Sequence, residues 1–376
     1  MPVEQINIDE FIDLAKSFPL LDVRSPGEFL HAHIPGAFSL PLFTDEQRKI
    51  IGTAYKQQGR QIAVDIGLKY FSERMKHVFD ETNEIFKANK QENKNLNEKK
   101  DTLLLYCWRG GMRSSTMAWL LSLYEFKVYT LIGGYKYFRR WALAQFNKEY
   151  TLNIIGGYTG SGKTEILKKI KNEGQKAIDL EALANHKGSA FGALGEEPQP
   201  GAEMFENLLA SELYRVKNHR ENATNDNAYT KNENIAIWLE DESMHIGSVG
   251  IPKLFWNQMR RSRLFFLDIP FDERLKNIIT CYGKYEKEKL SACILKIQKR
   301  LGGRETKNAL QFLNEGRIEE CFSILLHYYD KLYEGSLNNR ENLHELLNKI
   351  PCSSVGINNA QKFALQNKEH LYKPML

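Results

Sequence analysis

The chain has 376 residues, 52 Lys and Arg against 47 Asp and Glu, and a formal net charge of +5. At about 100–200 residues per domain, this length suits two domains that each bury a core without staples. With 42% hydrophobic and 26% charged residues, collagen, disordered chain and disulfide mini-protein are excluded, and the mild basic bias permits a phosphate-rich partner.

Residues 7–18 place Phe11, Ile12, Leu14 and Ala15 at helical spacing, and Pro19–Arg24 reads as a short buried strand. His33-Ile34-Pro35-Gly36-Ala37 and further helical stretches follow. Residues 86–101, rich in Asn, Lys and Glu, read as a polar, solvated insertion. Leu103–Tyr106 reads as a strand running into Cys107 and a glycine-bearing loop, after which Met117, Leu120, Leu121 and Tyr124 mark one face of a helix. A strand at Val128–Ile132, ending at Gly133-Gly134, and a helix through Arg139–Phe146 close the first domain. The expected division is 1–148 and 149–376.

The second domain opens with a strand at Leu152–Ile155, a glycine loop and the helical run EILKKIKN. Strands are expected at Ala177–Leu180, Ile235–Leu239 and Leu264–Ile269, with a helix around Phe205–Val216, a polar excursion at 217–234 and mostly helix from about 272. Alternating strands and helices predict an α/β fold, the second domain a parallel sheet covered on both faces with a helical C-terminal region.

Gly157-Tyr158-Thr159-Gly160-Ser161-Gly162-Lys163-Thr164 fits G-x-x-x-x-G-K-[ST] between a strand and a helix, the context that motif requires. Its glycines let backbone N–H groups face an anion, the helix N-terminus adds a positive dipole end, Lys163 reaches the outer phosphates and Thr164 can ligate Mg²⁺. Glu240-Asp241-Glu242 follows the next strand, and Glu240 or Asp241 could orient a metal-bound water or simply cap and line a loop. His186 and Lys187 stand where phosphates bind in such sheets, as substrate ligands or plain loop residues.

The five cysteines, Cys107, Cys281, Cys293, Cys321 and Cys352, form no CxxC pair, and their odd number suits a reducing compartment. The first ten residues lack the pattern of a signal peptide and no run approaches the ~18 apolar residues of a membrane span, so a cytoplasmic, non-membrane protein is expected. Cys107-Trp108-Arg109-Gly110-Gly111-Met112-Arg113-Ser114 sits between strand and helix, where loop amides, the helix N-terminus, Arg109 and Arg113 favour a thiolate and hold an incoming tetrahedral anion. With Leu21-Asp22-Val23-Arg24-Ser25-Pro26-Gly27-Glu28-Phe29 and His33–Ala37, this loop resembles the rhodanese fold over roughly residues 5–146. That fold carries sulfur transfer, and the Cys107-x5-Arg113 spacing equally matches rhodanese-like phosphatases, in which the thiolate attacks phosphorus.

The pairing of such a domain with a P-loop domain resembles the tRNA 2-selenouridine synthase family. Matching stretches are Gly52–Gly59, Gly133-Gly134-Tyr135-Lys136, Gly156–Thr164, Asp179-Leu180-Glu181, His186–Gly192, Pro198-Gln199-Pro200, Phe205-Glu206-Asn207 and Glu240-Asp241-Glu242-Ser243. The resemblance implies conversion of wobble 2-thiouridine in tRNA to 2-selenouridine through an S-geranyl-2-thiouridine, with geranyl diphosphate and selenophosphate as co-substrates and Mg²⁺ as a candidate cofactor. It implies Cys107 as the selenium acceptor, assisted by Arg109 and Arg113, and Gly157, Gly160, Ser161, Gly162, Lys163 and Thr164 as the diphosphate cradle. The alternative is a rhodanese-like phosphatase or sulfurtransferase coupled to a nucleotide-binding P-loop domain.

Three positions depart from the family pattern. Ala54 stands where a cysteine can occur, Gly201-Ala202 where Ser-Gln is expected, and Met244 where an arginine is expected, for which His245 or Arg260 could substitute. For tRNA the basic groups on offer are Lys136, Arg139 and Arg140 and, separately, Arg260, Arg261 and Arg263, with Trp108 able to stack on an extruded base or anchor the loop by packing.

Overall fold

The computed structural model describes residues 3–92, 102–218 and 236–363. Contacts divide the chain into two compact units, Met1–Gln145 with Glu206–Ser211, and Phe146–Phe205 with Glu212–Leu376.

The first unit runs β1 (Glu4–Ile6), α1 (Ile8–Leu14), β2 (Leu20–Asp22), α2 (Pro26–His31), β3 (Ala37–Ser39), α3 (Asp45–Gln57), α4 (Arg60–Glu92), β4 (Thr102–Tyr106), α5 (Met112–Ser122), β5 (Lys127–Leu131) and α6 (Gly134–Gln145). Its five strands form one sheet in the order β1-β5-β4-β2-β3, every neighbouring pair parallel. The TLLLY run of β4 is buried on both faces, as a central parallel strand must be, and Leu103 and Leu105 meet Met117, Leu120 and Leu121 of α5 in the core. Helix α3 starts where Thr44 and Gln47 cap each other's backbone amides.

The polar segment expected at 86–101 begins as helix. α4 continues to Glu92, and Phe86 stacks on Phe126 with ring centroids 5.5 Å apart, one apolar side chain in a polar run being enough to hold the turn against the core. Residues 93–101 lie outside the described residues.

The second unit runs β6 (Leu152–Gly157), α7 (Lys163–Asn172), α8 (Leu180–Ala184), α9 (Ala202–Asn218), β7 (Ile237–Glu240), β8 (His245–Ile246), β9 (Val249–Gly250), α10 (Lys253–Arg260), β10 (Arg263–Asp268), α11 (Phe271–Tyr282), α12 (Lys287–Leu301), α13 (Gly303–Asn314), α14 (Ile318–Asn338), α15 (Leu343–Leu346) and β11 (Leu347–Pro351). Residues 206–211 of α9 are the part counted with the first unit. A parallel sheet in the order β11-β10-β6-β7 carries the phosphate loop after an inner strand, the position where doubly wound sheets bind ligands. Helices α11 to α14 supply a second core around Ile294, Leu313 and Leu325.

One expectation is corrected and one is extended. The strand at Ala177–Leu180 shrinks to a single bridge from Ala177 to Trp238, because the Asp179 side chain accepts the Ala182 amide and starts α8 instead. The helical C-terminal region also returns to the sheet as β11, a short run in which only Ile350 is buried and which therefore leaves no alternating signature. The excursion at 217–234 begins as the last turn of α9, and residues 219–235 lie outside the described residues.

Candidate active sites

The cysteine loop is built at the end of β4. Cys107 is buried, its Sγ accepting the Gly111 amide at 3.3 Å and lying 3.2 Å from the Ser114 hydroxyl. Burial pushes the thiol up, but the Ser114 hydroxyl and amide, the Arg109 amide and the Arg113 charge together outweigh it, and the net direction is below an ordinary thiol. Helix α5 begins at Met112 with no side-chain cap from Gly111, leaving first-turn amides to face the loop.

Neighbouring segments hold that loop in shape. The amides of Tyr135 and Lys136 donate to the carbonyls of Cys107 at 2.8 Å and Trp108 at 3.0 Å. Gly134, at φ +58°, lies so close that a Cβ would sit 2.3 Å from the Cys107 carbonyl oxygen, which is why the Gly133-Gly134-Tyr135-Lys136 stretch needs glycine there. Arg24 is fully buried, gripping Asp22 with Nε and Nη2, donating to the Ala32 carbonyl at 2.7 Å, and lying 3.9 Å from the centre of the Tyr135 ring.

Arg113 donates to Glu28 at 2.8 Å. Burial raises the Glu28 carboxyl, but Arg113, the Ser25 amide and Arg48 bring it below the usual carboxylate range. The Arg113 guanidinium is thus aimed by α2 while its charge still reaches the sulfur. Arg109 is exposed, and Trp108, 38% exposed, packs on Tyr135 at 5.7 Å between centroids.

The phosphate loop joins β6 to α7. Gly160 at φ +82° and Gly162 at φ +75° make the curl. Helix α11 ties the loop's carbonyls back: Arg274, itself clamped by both Asp330 oxygens at 2.8 Å, donates to Thr159 O at 3.1 Å, and Asn277 donates to Gly160 O at 3.0 Å. With its carbonyls occupied, the loop offers N–H groups to an anion. Lys163 Nζ rests on Gly157 O at 3.1 Å, Ser161 Oγ is buried without a partner, and Thr164 Oγ1 donates to Glu181 at 2.8 Å.

The acids divide differently from the sequence reading. Glu240 is fully buried, accepting the Leu180 amide at 3.2 Å, and burial followed by the charges of Asp179 and Glu181 pushes its carboxyl far up. Asp241 accepts Tyr333 Oη at 2.8 Å and Arg340 Nη2 at 2.6 Å, and Tyr333 in turn accepts the Gly157 amide at 3.2 Å. Glu240 and Asp241 therefore brace the site, and the carboxylates that feel Lys163 directly are Glu181 and Glu242, both raised by burial first and by other carboxylates, with Lys163 opposing. Among the described residues no group of three or more His, Cys, Asp or Glu side chains is arranged to hold a metal ion.

His186 donates its amide to Glu181 O at 3.0 Å, and its buried Nδ1 has no partner; burial lowers the imidazole's proton affinity. Lys187 pairs with Glu196 at 2.7 Å. Arg139 is held by Glu206 at 2.6 Å and Asn207 at 2.5 Å, both counted with its own unit. Sequence reading singled out neither Ser114 and Arg24 around the sulfur nor Tyr333, Arg340 and Arg274 behind the phosphate loop; Glu181 and Glu242 stood in its matching stretches without a role.

No helix among the described residues is long and apolar enough to cross a membrane. Residues 150–349 match the family model of the tRNA 2-selenouridine synthase AAA domain, and residues 7–140 match that of the rhodanese-like domain. Proteins called tRNA 2-selenouridine synthase are similar across nearly their whole length. That of Nitrosomonas eutropha is 32% identical over 86% of this chain and 89% of its own. That of Nitrosomonas europaea is 31% identical over 89% and 93%, and that of Bdellovibrio bacteriovorus 33% over 90% and 94%. A low-affinity thiol in a rhodanese loop and a braced phosphate loop thus occur in a chain that belongs to the tRNA 2-selenouridine synthase family.

Proposed function

We propose that this enzyme replaces the sulfur of wobble 2-thiouridine in tRNA by selenium in two stages served by its two loops. The observation that carries the reading is chemical: one loop holds a cysteine sulfur that accepts the Gly111 amide beside the Ser114 hydroxyl, and the other holds an anion cradle without a cysteine.

At the phosphate loop, the N–H groups, Lys163 and the first turn of α7 bind the diphosphate of geranyl diphosphate, and stabilise it as it departs when the thiouridine sulfur takes the prenyl chain. Thr164 and Glu181 are the residues that would hold Mg²⁺, which would supply positive charge near the diphosphate. Alkylation makes the sulfur a thiol leaving group, where an unalkylated thiocarbonyl leaves poorly. At the cysteine loop Arg109, Arg113 and the α5 amides hold the phosphoryl oxygens of selenophosphate while the Cys107 thiolate attacks its phosphorus, breaking the P–Se bond and releasing selenide; water then hydrolyses the S-phosphocysteine to phosphate and the free thiol. The selenide adds at C2 and expels the geranyl thiolate, which leaves as the thiol.

Cys107→Ala is expected to abolish selenium incorporation and leave S-geranylation intact, whereas Lys163→Ala stops geranylation while a preformed S-geranyl tRNA is still selenated. Loss of both activities in either variant would overturn the division of labour.

A further inference from the structure

One cleft of the second unit, of about 550 Å³, takes no part in that chemistry. Its walls are the C-terminal end of α10, with Trp256, Asn257, Arg260 and Arg261, and the end of α14, with Ser336 and Asn339. We propose that it receives one nucleotide of the RNA substrate, base against the Trp256 and Arg260 pair and phosphate on Arg261. The proposal rests on the reading that this enzyme acts on tRNA.

The lining fits a nucleotide in size and chemistry. The Arg260 guanidinium lies 5.5 Å from the centre of the Trp256 ring and donates to Ser336 O at 2.7 Å, giving a fixed flat platform on which any base can stack. The amides of Asn257 and Asn339 can read a base edge. Arg261 is 72% exposed and holds only a loose 3.6 Å pairing with the equally exposed Glu341, an interaction weak enough to yield to a phosphate. Behind the wall Arg340 is buried, with Nη2 on Asp241, which balances its charge, and both Nε and Nη1 without partners. That neighbour lowers the proton affinity of Arg260, which burial already depresses.

Other occupants fit less well. A prenyl chain would find a single aromatic ring among polar groups. Inorganic phosphate would leave the aromatic platform and the carbonyl ends of α10 and α14, which suit the amino group of a base, without a partner. The platform is joined to the phosphate loop's acids, since Trp256 Nε1 donates to Glu242 O at 3.1 Å and Arg340 grips Asp241. RNA held here is tied to the backbone that carries Glu242.

The test is equilibrium binding of fluorescently labelled, 2-thiouridine-containing tRNA to the full-length protein at several salt concentrations, with melting curves to establish that each variant folds. Arg261→Glu and Trp256→Leu are each expected to weaken binding on the order of tenfold, Arg261→Glu with a salt slope lower by about one, while Trp256→Phe keeps the ring and binds nearly as wild type. Inorganic phosphate at millimolar concentration should not compete. Wild-type affinity in folded Arg261→Glu and Trp256→Leu overturns the proposal, and competition by inorganic phosphate overturns a nucleotide as the occupant. A wild-type protein that does not bind tRNA at all overturns the functional reading along with it.

Discussion

Ser114→Ala should make Cys107 a slower nucleophile without altering its position. The hydroxyl lies 3.2 Å from the sulfur and donates to it once the thiol ionises. A hydrogen bond to a charged group is worth about 1.5–3 kcal/mol net, so its loss cuts the thiolate fraction by about ten- to 150-fold at any pH where the thiol is mostly protonated. Each remaining thiolate is more nucleophilic, recovering the square root or a little less of that factor, so the net reaction slows by about three- to twentyfold. The assay is the rate of iodoacetamide alkylation of Cys107 against pH, read by mass spectrometry of its peptide. Cys281 is the internal reference: it is exposed, and burial of its sulfur with the Glu165 charge pushes its thiol up, so its profile should lie above that of Cys107 and stay unmoved. A Cys107 profile unchanged by Ser114→Ala, or lying above that of Cys281 in the wild type, would refute the account of the loop.

Removing Asp22 strands the buried Arg24, so Asp22→Ala should cost about 3–5 kcal/mol and lower the first unit's melting temperature by roughly 10 °C, while Asp22→Ala with Arg24→Met recovers much of it. Gly134→Ala, whose Cβ would sit 2.3 Å from Cys107 O, should cut Cys107 alkylation and selenium transfer together while leaving geranylation alone. The Glu28 carboxyl is held below its ordinary value of 4.5, so its ion pair with Arg113 contributes stability above that value and loses it as pH falls below it. Melting temperatures of wild type and Glu28→Gln should therefore differ at pH 7 and converge on acidification; a constant difference would show that the pair carries no such linkage.

Both loops were legible in the sequence because each is continuous: a strand, a glycine turn and a helix written in consecutive residues, as in β4-Cys107-α5 and β6-Lys163-α7. Their supports come from far along the chain and leave no local pattern. Arg274 and Asn277 hold the phosphate loop's carbonyls from more than a hundred residues away, and Tyr333 and Arg340 reach Asp241 across about as many. The same distance explains the acids. Glu240 and Asp241 read equally as holders of a metal-bound water or as capping and loop residues because they follow a strand, and the burial of Glu240 and the two donors on Asp241 emerge only once α8 and α14 are in place. Where one residue decided an element, as Asp179 did for α8, pattern reading missed it because the preceding apolar run was equally consistent with a strand.

The most direct measurement is mass spectrometry of the nucleosides of 2-thiouridine-containing tRNA incubated with the enzyme and geranyl diphosphate, selenophosphate, or both. The account predicts S-geranyl-2-thiouridine with the first donor alone, unchanged 2-thiouridine with the second alone, and 2-selenouridine only with both. Selenouridine formed from selenophosphate without geranyl diphosphate, or thiouridine unchanged in every tube with folded protein, would contradict it.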